Sequence, residues 1–500
     1  MQYILGLDIG SSSVKASLVL VDSGETVASV QSPSEEMPML ATQPGWAEQD
    51  PDMWWTHAVI CIKLCLMKSE VDAEQIKSIG ISYQMHGLVM VGKDHKPLRP
   101  SIIWCDSRAV SIGDRAMKDL GEQYCLEHLL NSPGNFTASK LKWVKDNEPR
   151  VFEQVYKVML PGDYIALRLT GEVVTTDTGL SEGMFWDHAE GKVSSKLMEY
   201  YGLNHSMLAT QVPVFSLQGK ISAKAASETG LSQNTSIAYR AGDQPNNAFS
   251  LNVLHAGETA ATAGTSGVIY SVTNKNAMDL QSRVNTFLHV NNTAAEKRNG
   301  VLLCVNGTGS MNSWLRKTLK VNDSTLSYDQ MNNLAAQVPI GSEGVMVMPF
   351  GNGAERIFEN KDLGASFQGM NFNTHTQAHL LRAGQEGIVF ALRYGFDILQ
   401  EMGLKTTVIR AGNANMFLSP LFREAFVNTI GAPVELYNTD GAKGAALGAG
   451  IGAGIYKSFE EAFRGLKVIR SESPDAKKLE QYQQAYGKWK LELTKHLGKI

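Results

Sequence analysis

Short apolar runs open the chain, in the pattern of β-strands joined by tight turns. The runs from Tyr3 to Leu7 and from Val14 to Val21 predict the two strands of a hairpin with a polar tip. From about Asp50 to Lys68 the apolar residues take helical spacing, and a further strand is predicted from Ser78 to Ser82. This alternation of strand and helix predicts an α/β fold.

A second hairpin of the same kind is predicted near the middle of the chain. Its strands run from Thr259 to Ala263 and from Val268 to Val272. Both tips share the pattern Gly-[Ser/Thr]-Ser-x-Val, which suggests duplicated domains. The tip residues are Gly10, Ser11, Ser12 and Ser13 in the first hairpin, and Gly264, Thr265, Ser266 and Gly267 in the second.

The chain is longer than one hydrophobic core usually organises. Its 500 residues predict two domains, or three at most. We place a boundary near Ala241, which gives an N-terminal domain of residues 1–241 and a C-terminal domain of residues 242–500. Two facing domains would create a cleft at their interface, where ligand sites preferentially form. The last segment, from Lys457 to Lys499, is predicted to be a charged amphipathic helix.

Composition and charge narrow the class of protein. Apolar residues make up 43% of the chain and charged residues 19%, as in a folded globular protein. The formal net charge of −4 argues against a broadly basic surface. We therefore expect no nucleic acid and no anionic membrane among the partners, and any anionic ligand must be held locally.

The sequence also predicts a cytoplasmic location. Asp8 interrupts the N-terminal apolar run before it could serve as a signal-peptide core. The longest small and apolar run, from Gly444 to Tyr456, falls well short of the roughly 18 residues that suggest a membrane span. The five cysteines are an odd number without metal-ligand spacing, which fits a reducing compartment.

The hairpin tips and two acidic residues suit phosphoryl transfer. Each tip exposes backbone N–H groups that phosphate oxygens can approach closely; singly each also fits an ordinary connection, but the pair favours phosphate binding. Asp8, just before the first tip, is placed to bind Mg²⁺ beside a transferred phosphate, with turn capping as the alternative. Asp243, after a predicted strand, is the candidate general base for a hydroxyl group, with a plain turn residue as the alternative.

Two further segments suit the binding of a sugar. The segment Met85-His86-Gly87 follows a predicted strand and presents an imidazole and a backbone edge to hydroxyl groups, although a lone His is more often structural. Trp104 offers an apolar plane for a sugar, next to Asp106 and Arg108, which can form fixed hydrogen bonds. The alternative for this second segment is a buried Trp beside an internal ion pair.

Taken together and in this order, six segments resemble the FGGY carbohydrate kinases over nearly the whole chain. They are Leu7-Asp8-Ile9-Gly10-Ser11-Ser12-Ser13, Gly45-Trp46-Ala47-Glu48-Gln49-Asp50-Pro51, Met85-His86-Gly87, Trp104-x-Asp106-x-Arg108, Gly242-Asp243 and Gly264-Thr265-Ser266-Gly267. The resemblance implies two ribonuclease H-like domains, as in actin and the sugar kinases, which face a central cleft and close over ATP and a sugar.

The resemblance also implies roles for individual residues. Asp243 matches the catalytic base of the family and Asp8 its essential N-terminal Asp, while Met85 and His86 match its sugar-contacting pair. The second phosphate loop of the family is matched by Gly264, Thr265 and Ser266.

A segment near the end of the chain resembles the adenosine motif of the family. A predicted strand, Val408 to Arg410, leads through Gly412 and Asn413 to Ser419. The sequence departs from the family pattern here, because Asn413 stands where a Gly is usual and the loop before Ser419 is longer than in many relatives. We expect Gly412, Asn413 and Ser419 to contact the nucleotide.

The expected activity is the phosphorylation of a ketose by ATP and Mg²⁺. The Met85-His86-Gly87 segment resembles the branch of the family that phosphorylates xylulose, whereas glycerol kinases typically show an Arg-Glu pair there, so D-xylulose is the favoured acceptor. The alternatives are another acceptor, such as ribulose, fuculose, rhamnulose, gluconate or glycerol, and a non-catalytic sugar or nucleotide sensor on the same fold. Family similarity also leads us to expect a homodimer.

Overall fold

The computed structural model describes residues 1–321 and 324–498. The first half of the chain builds a six-stranded mixed sheet with the strand order β5-β6-β4-β1-β2-β3. Its strands are β1 (Tyr3–Ile9), β2 (Val14–Leu20), β3 (Thr26–Ser32), β4 (Ile76–Tyr83), β5 (Phe215–Lys220) and β6 (Ser236–Gly242). The predicted hairpin forms, because β1 and β2 pair antiparallel, and β1 also pairs parallel with β4, which pairs parallel with β6.

The second half of the chain builds a seven-stranded sheet with the order β9-β10-β8-β7-β11-β12-β13. Its strands are β7 (Glu258–Ala263), β8 (Gly267–Thr273), β9 (Asn285–Leu288), β10 (Asn299–Val305), β11 (Val408–Gly412), β12 (Val434–Tyr437) and β13 (Val468–Glu472). Strands β7 and β8 form the second predicted hairpin, and β7 pairs parallel with β11, which pairs parallel with β12.

The two sheets repeat one topology. In each sheet the hairpin (β1–β2 or β7–β8) pairs on one side with a third antiparallel strand, β3 or β10. On the other side come two parallel strands, β4 and β6 or β11 and β12, and then an antiparallel strand, β5 or β13. The second sheet differs only by the additional edge strand β9. The predicted duplication and the predicted α/β fold of two related domains are therefore confirmed.

Helices cover the sheets and connect their strands. Those of six or more residues are α1 (Pro51–Ser69), α2 (Val110–Leu120), α3 (Thr137–Asn147), α4 (Pro161–Thr170), α5 (Asp177–Glu182), α6 (Ser195–Tyr201), α7 (Ala223–Thr229), α8 (Asp243–Ser250), α9 (Gly309–Thr318), α10 (Tyr328–Ala335), α11 (Gln377–Glu401), α12 (Pro420–Ile430), α13 (Gly441–Gly452) and α14 (Ala476–His496). Within residues 1–321 and 324–498, none of the helices is long and apolar enough to cross a membrane.

Smaller elements join the main ones. Short strand pairs are Glu48–Gln49 with Ser101–Ile102, Val89–Val91 with Lys157–Met159, Val174–Thr176 with Thr210–Val212, Trp186–Asp187 with Lys192–Val193, Lys320–Val321 with Ser324–Thr325, and Met346–Phe350 with Gly364–Gln368. Short helical turns are Ala73–Gln75, Glu122–Tyr124, Cys125–Leu129, Pro149–Phe152, His205–Met207, Ser342–Gly344, Arg356–Phe358, Asn415–Leu418 and Phe459–Ala462.

Helix α13 lies directly on the first sheet, although it comes late in the chain. A Cβ atom at Gly6 in β1 would overlap the carbonyl oxygen of Ala442, and one at Gly80 in β4 would overlap that of Ala445. The helix itself is built almost entirely from Gly and Ala and is buried along most of its length. Small residues on both surfaces let the two backbones touch, so the packing distance is set by glycine.

Two further contacts fix the halves against each other. Helix α8 follows β6 without a loop, and Asn246 within it donates from Nδ2 to the carbonyl oxygen of Gly441, 2.8 Å away, at the start of α13. One buried hydrophobic cluster contains Phe136 from the first half and Tyr270 and Phe287 from the second. The halves therefore share a core.

The prediction of one helix from Lys457 to Lys499 is wrong. Residues Val468–Glu472 form β13, which pairs antiparallel with β12 at the edge of the second sheet. Gly465 and Pro474 flank this strand and interrupt helical backbone, and its first residues are β-branched. The amphipathic helix is limited to α14, and Lys499 lies outside the described residues.

The division into residues 1–241 and 242–500 stays a prediction. The chain does leave the first sheet at Gly242, where β6 ends. Helix α13 nevertheless packs on the first sheet, so contacts from the C-terminal half complete the core of the N-terminal half.

The contact between α13 and the first sheet predicts a large cost for Gly80→Ala. Its methyl group would overlap the backbone of Ala445, and such overpacking in a core costs about 3 kcal/mol in the free energy of unfolding. Urea unfolding followed by circular dichroism measures this cost.

Gly487→Ala is the matched control, since its Cβ atom would meet open space on α14. Alanine is the better helix former, so this variant should gain up to about 1 kcal/mol. Equal effects of the two substitutions would contradict the close contact at Gly80.

Candidate active site

Asp8 lies where the first sheet meets the start of α13. Ser82, its neighbour across the parallel pair β1 and β4, donates from Oγ to Oδ1 of Asp8 over 2.9 Å. A Cβ atom at Gly441 would lie 2.8 Å from Oδ2, so glycine leaves room for this carboxylate. Burial raises the pKa of Asp8, Lys15 opposes the shift and the charge of Asp440 adds to it.

Asp243 lies at the same edge of the first sheet. It is the first residue of α8, directly after β6, and the carboxyl ends of the parallel strands β1, β4 and β6 meet at this edge. Burial, together with the negative charge of Asp8, raises the pKa of Asp243 to about 7. A carboxyl group with this pKa can accept a proton near neutral pH and bind it firmly enough to assist its removal.

The first hairpin tip is a tight turn closed by a hydrogen bond from Gly10 N to Ser13 O, over 3.0 Å. The carbonyl oxygen of Ser11 accepts from Nε2 of Gln49 over 2.7 Å, and the carbonyl oxygen of Ser12 accepts from Met37 N over 2.8 Å. Hydrogen bonds from other segments of the chain thus hold the carbonyl oxygens of the tip in place. In the described part of the chain the N–H groups of Ser11 and Ser12 bond no protein acceptor, which suits them to phosphate oxygens.

The carbonyl oxygens of the second tip are also held by hydrogen bonds from another segment. The carbonyl oxygens of Gly264 and Thr265 accept from Gly309 N and Ser310 N, over 2.8 and 3.1 Å, at the start of α9. A Cβ atom at Gly264 would lie 3.5 Å from Nδ2 of Asn415, so the adenosine segment reaches this tip. The predicted pair of phosphate tips therefore exists as two anchored turns, one on each sheet.

His86 presents a fixed tautomer to the cleft. Its Nδ1 lies 2.8 Å from the carbonyl oxygen of Glu182, and because a carbonyl only accepts, Nδ1 carries the hydrogen. Burial, together with the positive charges of Lys140 and Arg356, lowers the pKa of His86 to about 3. The ring is therefore neutral at physiological pH and offers the lone pair of Nε2 to a hydroxyl donor.

Met85 and Gly87 flank this histidine in buried surroundings. A Cβ atom at Gly242 would lie 2.6 Å from Cγ of Met85, so Met85 borders the residue that precedes Asp243. A Cβ atom at Gly87 would lie 2.6 Å from Cγ of Pro161, so this glycine permits a close approach to α4. The predicted sugar segment and the candidate base therefore lie next to each other.

Trp104 and Asp106 have different surroundings, although the sequence grouped them. Trp104 is 49% exposed, and its Nε1 donates to Oγ of Ser11 over 3.3 Å, so it lies beside the first tip. Asp106 is fully buried; its Oδ2 accepts from Ala47 N over 2.6 Å and from Nη2 of Arg108 over 2.7 Å. The carboxylate of Asp106 therefore takes part in an internal ion pair, and its assignment to the sugar stays a prediction.

The adenosine segment follows β11. Gly412 ends the strand, and Asn413 donates from its backbone to the carbonyl oxygen of Tyr437 over 2.9 Å. Ser419 is 8% exposed and caps α12, and its Oγ contacts Oδ1 of Asn332 and Oε1 of Gln385 at 2.9 and 3.0 Å. The hydroxyl of Ser419 thus bonds groups inside the protein, and its assignment to the nucleotide stays a prediction.

Glu182 is a buried acid that the sequence did not indicate. It ends α5 and is 2% exposed, and the hydroxyl of Tyr83 is the neighbouring group that favours its charged form. A Cβ atom at Gly242 would lie 2.6 Å from its Oε2. Burial, together with the charges of Asp243 and Asp163, raises the pKa of Glu182 well above its ordinary value. No sequence pattern marks it, since its burial arises only when α5 packs against β6.

Comparison with known proteins agrees with this arrangement. Residues 3–250 match the N-terminal domain of the FGGY family of carbohydrate kinases, and residues 259–455 match the C-terminal domain of that family. The chain therefore belongs to the FGGY family of carbohydrate kinases. It is a carbohydrate kinase, and this activity implies ATP as the phosphoryl donor.

Individual relatives cover nearly the whole chain. The chain is 29% identical to the xylulose kinase of Bacillus subtilis, an alignment that covers 98% of this chain and 96% of that protein. The crystal structure of xylulose kinase from Rhodospirillum rubrum superposes with a TM-score of 0.88 at 25% identity and covers 100% of this chain and 99% of that one. Gluconate kinase from Lactobacillus acidophilus, at 24% identity, has a TM-score of 0.89 over 99% of this chain and 98% of its own, a likeness of fold alone.

The surroundings of Glu182 predict a pH-dependent effect of Glu182→Gln. In the unfolded chain this carboxyl ionises near its ordinary pKa of 4.5, whereas in the folded protein it stays protonated to much higher pH. Wild-type stability is therefore lost progressively as pH rises above that ordinary value, by up to about 1.4 kcal/mol per pH unit. The neutral amide removes this loss, so the variant should gain stability over wild type at pH 8 relative to pH 5, as measured by urea unfolding.

The exposed Glu190 provides the control, since its side chain is 54% exposed. Glu190→Gln should change stability by the same small amount at both pH values. A difference between Glu182→Gln and wild type that does not vary with pH would mean that Glu182 is ionised in the folded protein.

Proposed function

We propose that this protein transfers the γ-phosphoryl group of ATP to the terminal hydroxyl of D-xylulose, giving D-xylulose 5-phosphate and ADP. The observation that carries the chemistry is the meeting of Asp8 and Asp243 at one edge of the first sheet, where burial and the Asp8 charge raise the pKa of Asp243 to about 7. The substrate class is supported by curated relatives named xylulose kinases that align over nearly the full length of the chain.

Asp243 is the proposed general base. The sugar oxygen forms a bond to the γ-phosphorus as the bond from that phosphorus to the bridging oxygen of ATP breaks, and ADP leaves. The hydroxyl proton passes to Asp243, which can hold it because its pKa is near neutral. Most of the acceleration comes from positioning and from stabilisation of the phosphate charge, as in other phosphoryl transfers.

The proposed sugar contacts line one wall of the cleft. Met85 supplies an apolar contact, and the Nε2 lone pair of His86 supplies a hydrogen-bond acceptor. The exposed ring of Trp104 supplies a stacking plane. The proposed nucleotide contacts come from the two tips and the adenosine segment. These residues are Gly10, Ser11, Ser12, Ser13, Gly264, Thr265, Ser266, Gly412 and Asn413.

Mg²⁺ fits the oxygen donors beside the first tip. Ser82 donates to Oδ1 of Asp8, which leaves Oδ2 for a cation, directly or through water. The glycine at position 441 keeps that space open. When bound, Mg²⁺ neutralises charge on the phosphates, and Asp8 is the residue proposed to hold it.

The acceptor is identified by ADP release from Mg·ATP with a panel of sugars. We expect kcat/KM to be highest for D-xylulose, above D-ribulose, gluconate and glycerol, because D-xylulose presents the ketose expected for Met85 and His86. A preference for another sugar would keep the kinase mechanism and replace the substrate. Turnover with none of these would contradict the proposed function.

The role of Asp243 is tested by Asp243→Asn, which keeps the shape and removes the basic oxygen. Loss of a general base lowers kcat by about 100-fold to 10,000-fold, while binding of the sugar, measured by calorimetry, should persist. Asp94→Asn, at a loop aspartate whose side chain is 61% exposed, should leave kcat unchanged. Unchanged turnover in Asp243→Asn would remove Asp243 from the mechanism.

A further inference from the structure

Lys140 is a buried amine that the proposed mechanism does not use. It is the fourth residue of α3, in the first turn, and is 0% exposed. Its Nζ donates to the carbonyl oxygen of His86 over 3.0 Å and to that of Ile103 over 2.9 Å. Within residues 1–321 and 324–498, no carboxylate lies within ion-pair distance of this amine, so its hydrogen bonds go to backbone oxygens.

The two carbonyl groups belong to different loops. His86 is in the loop that follows β4, and Ile103 immediately precedes Trp104 in the loop beside the first tip. The strand Val89–Val91 lies between these two loops in the chain, so they are not parts of one local turn. A single side chain therefore bonds the backbone of His86 and the backbone beside Trp104, the residues of two proposed sugar contacts.

The backbone at His86 needs such a link. Its φ angle is 61°, in the left-handed region that residues other than glycine rarely occupy without support from their surroundings. The carbonyl orientation that follows from this conformation is the one that Lys140 binds. Removal of the amine would leave that buried carbonyl oxygen without its partner and release the conformation that aims the imidazole.

The start of α3 contacts both loops a second time. Phe136, next to the helix start, packs the edge of its ring against His86 with centroids 4.9 Å apart. Asn135 donates from Nδ2 to the carbonyl oxygen of Asp106, two residues beyond Trp104. Asn135, Phe136 and Lys140, at the start of α3, thus make two contacts with each of the two loops.

We infer that Lys140 is a positioning residue for the sugar, which sets the distance between His86 and Trp104 by holding both of their loops to α3. This inference rests on the proposed function, since it concerns the same sugar site. Lys140 donates to the loops of His86 and Trp104 and reaches the first tip only indirectly, through the hydrogen bond from Trp104 to Ser11, so its effect should fall mainly on the sugar.

The test compares Lys140→Met with Lys142→Met. Methionine keeps the length of the side chain and removes the donors, whereas Lys142 lies on the same helix and pairs only with Asp146 at the surface. In Lys140→Met, KM for the sugar should rise about tenfold or more, while KM for ATP changes less than about twofold, as expected for lost hydrogen bonds confined to one ligand. Lys142→Met should match wild type. Equal rises in both KM values, or none, would overturn the inference.

A second measurement does not depend on turnover. Amide hydrogen exchange in Lys140→Met should accelerate in both loops together, at residues 85–88 and 103–107, and remain at the wild-type rate at the second hairpin tip, which is held by the start of α9. If wild type phosphorylates no sugar, the proposed function fails, and exchange alone decides whether Lys140 holds both loops. Should Lys140→Met not fold, Lys140→Gln, which keeps one donor, takes its place and should show smaller changes in the same two loops; unchanged exchange in either variant would overturn the inference.

Discussion

The contact between the backbone of α13 and the first sheet is the constraint on which the site depends. Glycines at positions 6 and 80 remove the side chains that would separate the two surfaces. The start of the helix then lies against Asp8, and Asn246 ties α8 to the same point. Because Asp243 begins α8, one packing contact sets the positions of both acidic residues. A helix from the second half of the chain thus completes an acidic site that begins on the first strand.

Burial then decides the charge that each group carries. The same loss of water raises the pKa of Asp243 to about 7, lowers that of His86 to about 3 and raises that of Glu182 well above its ordinary value. The proposed sugar site therefore presents the neutral imidazole of His86, while the carboxyl groups of Asp8 and Asp243 lie together at the edge of the first sheet. A low-dielectric wall of this kind strengthens interactions with transferred phosphate charge.

Local patterns in the sequence were sufficient for much of the fold and part of the site. The two hairpins, α1 and the strand before Met85 followed from apolar spacing, and the acidic residues stood beside the strand ends where parallel sheets bind ligands. Contacts between distant segments could not be predicted in this way. Some roles arise only when separate elements pack together. They include the ion pair of Asp106, the helix cap formed by Ser419 and the burial of Lys140. The strand Val468–Glu472 was missed because its pairing partner is in another segment.

The most direct test of the account is a crystal structure of the protein with D-xylulose, Mg²⁺ and a non-hydrolysable ATP analogue. The account predicts that the terminal hydroxyl of the sugar lies within hydrogen-bond distance of Asp243, with His86 Nε2 accepting from another hydroxyl and the phosphates between the two hairpin tips. A sugar bound away from Asp243, or phosphates bound outside the tips, would contradict it.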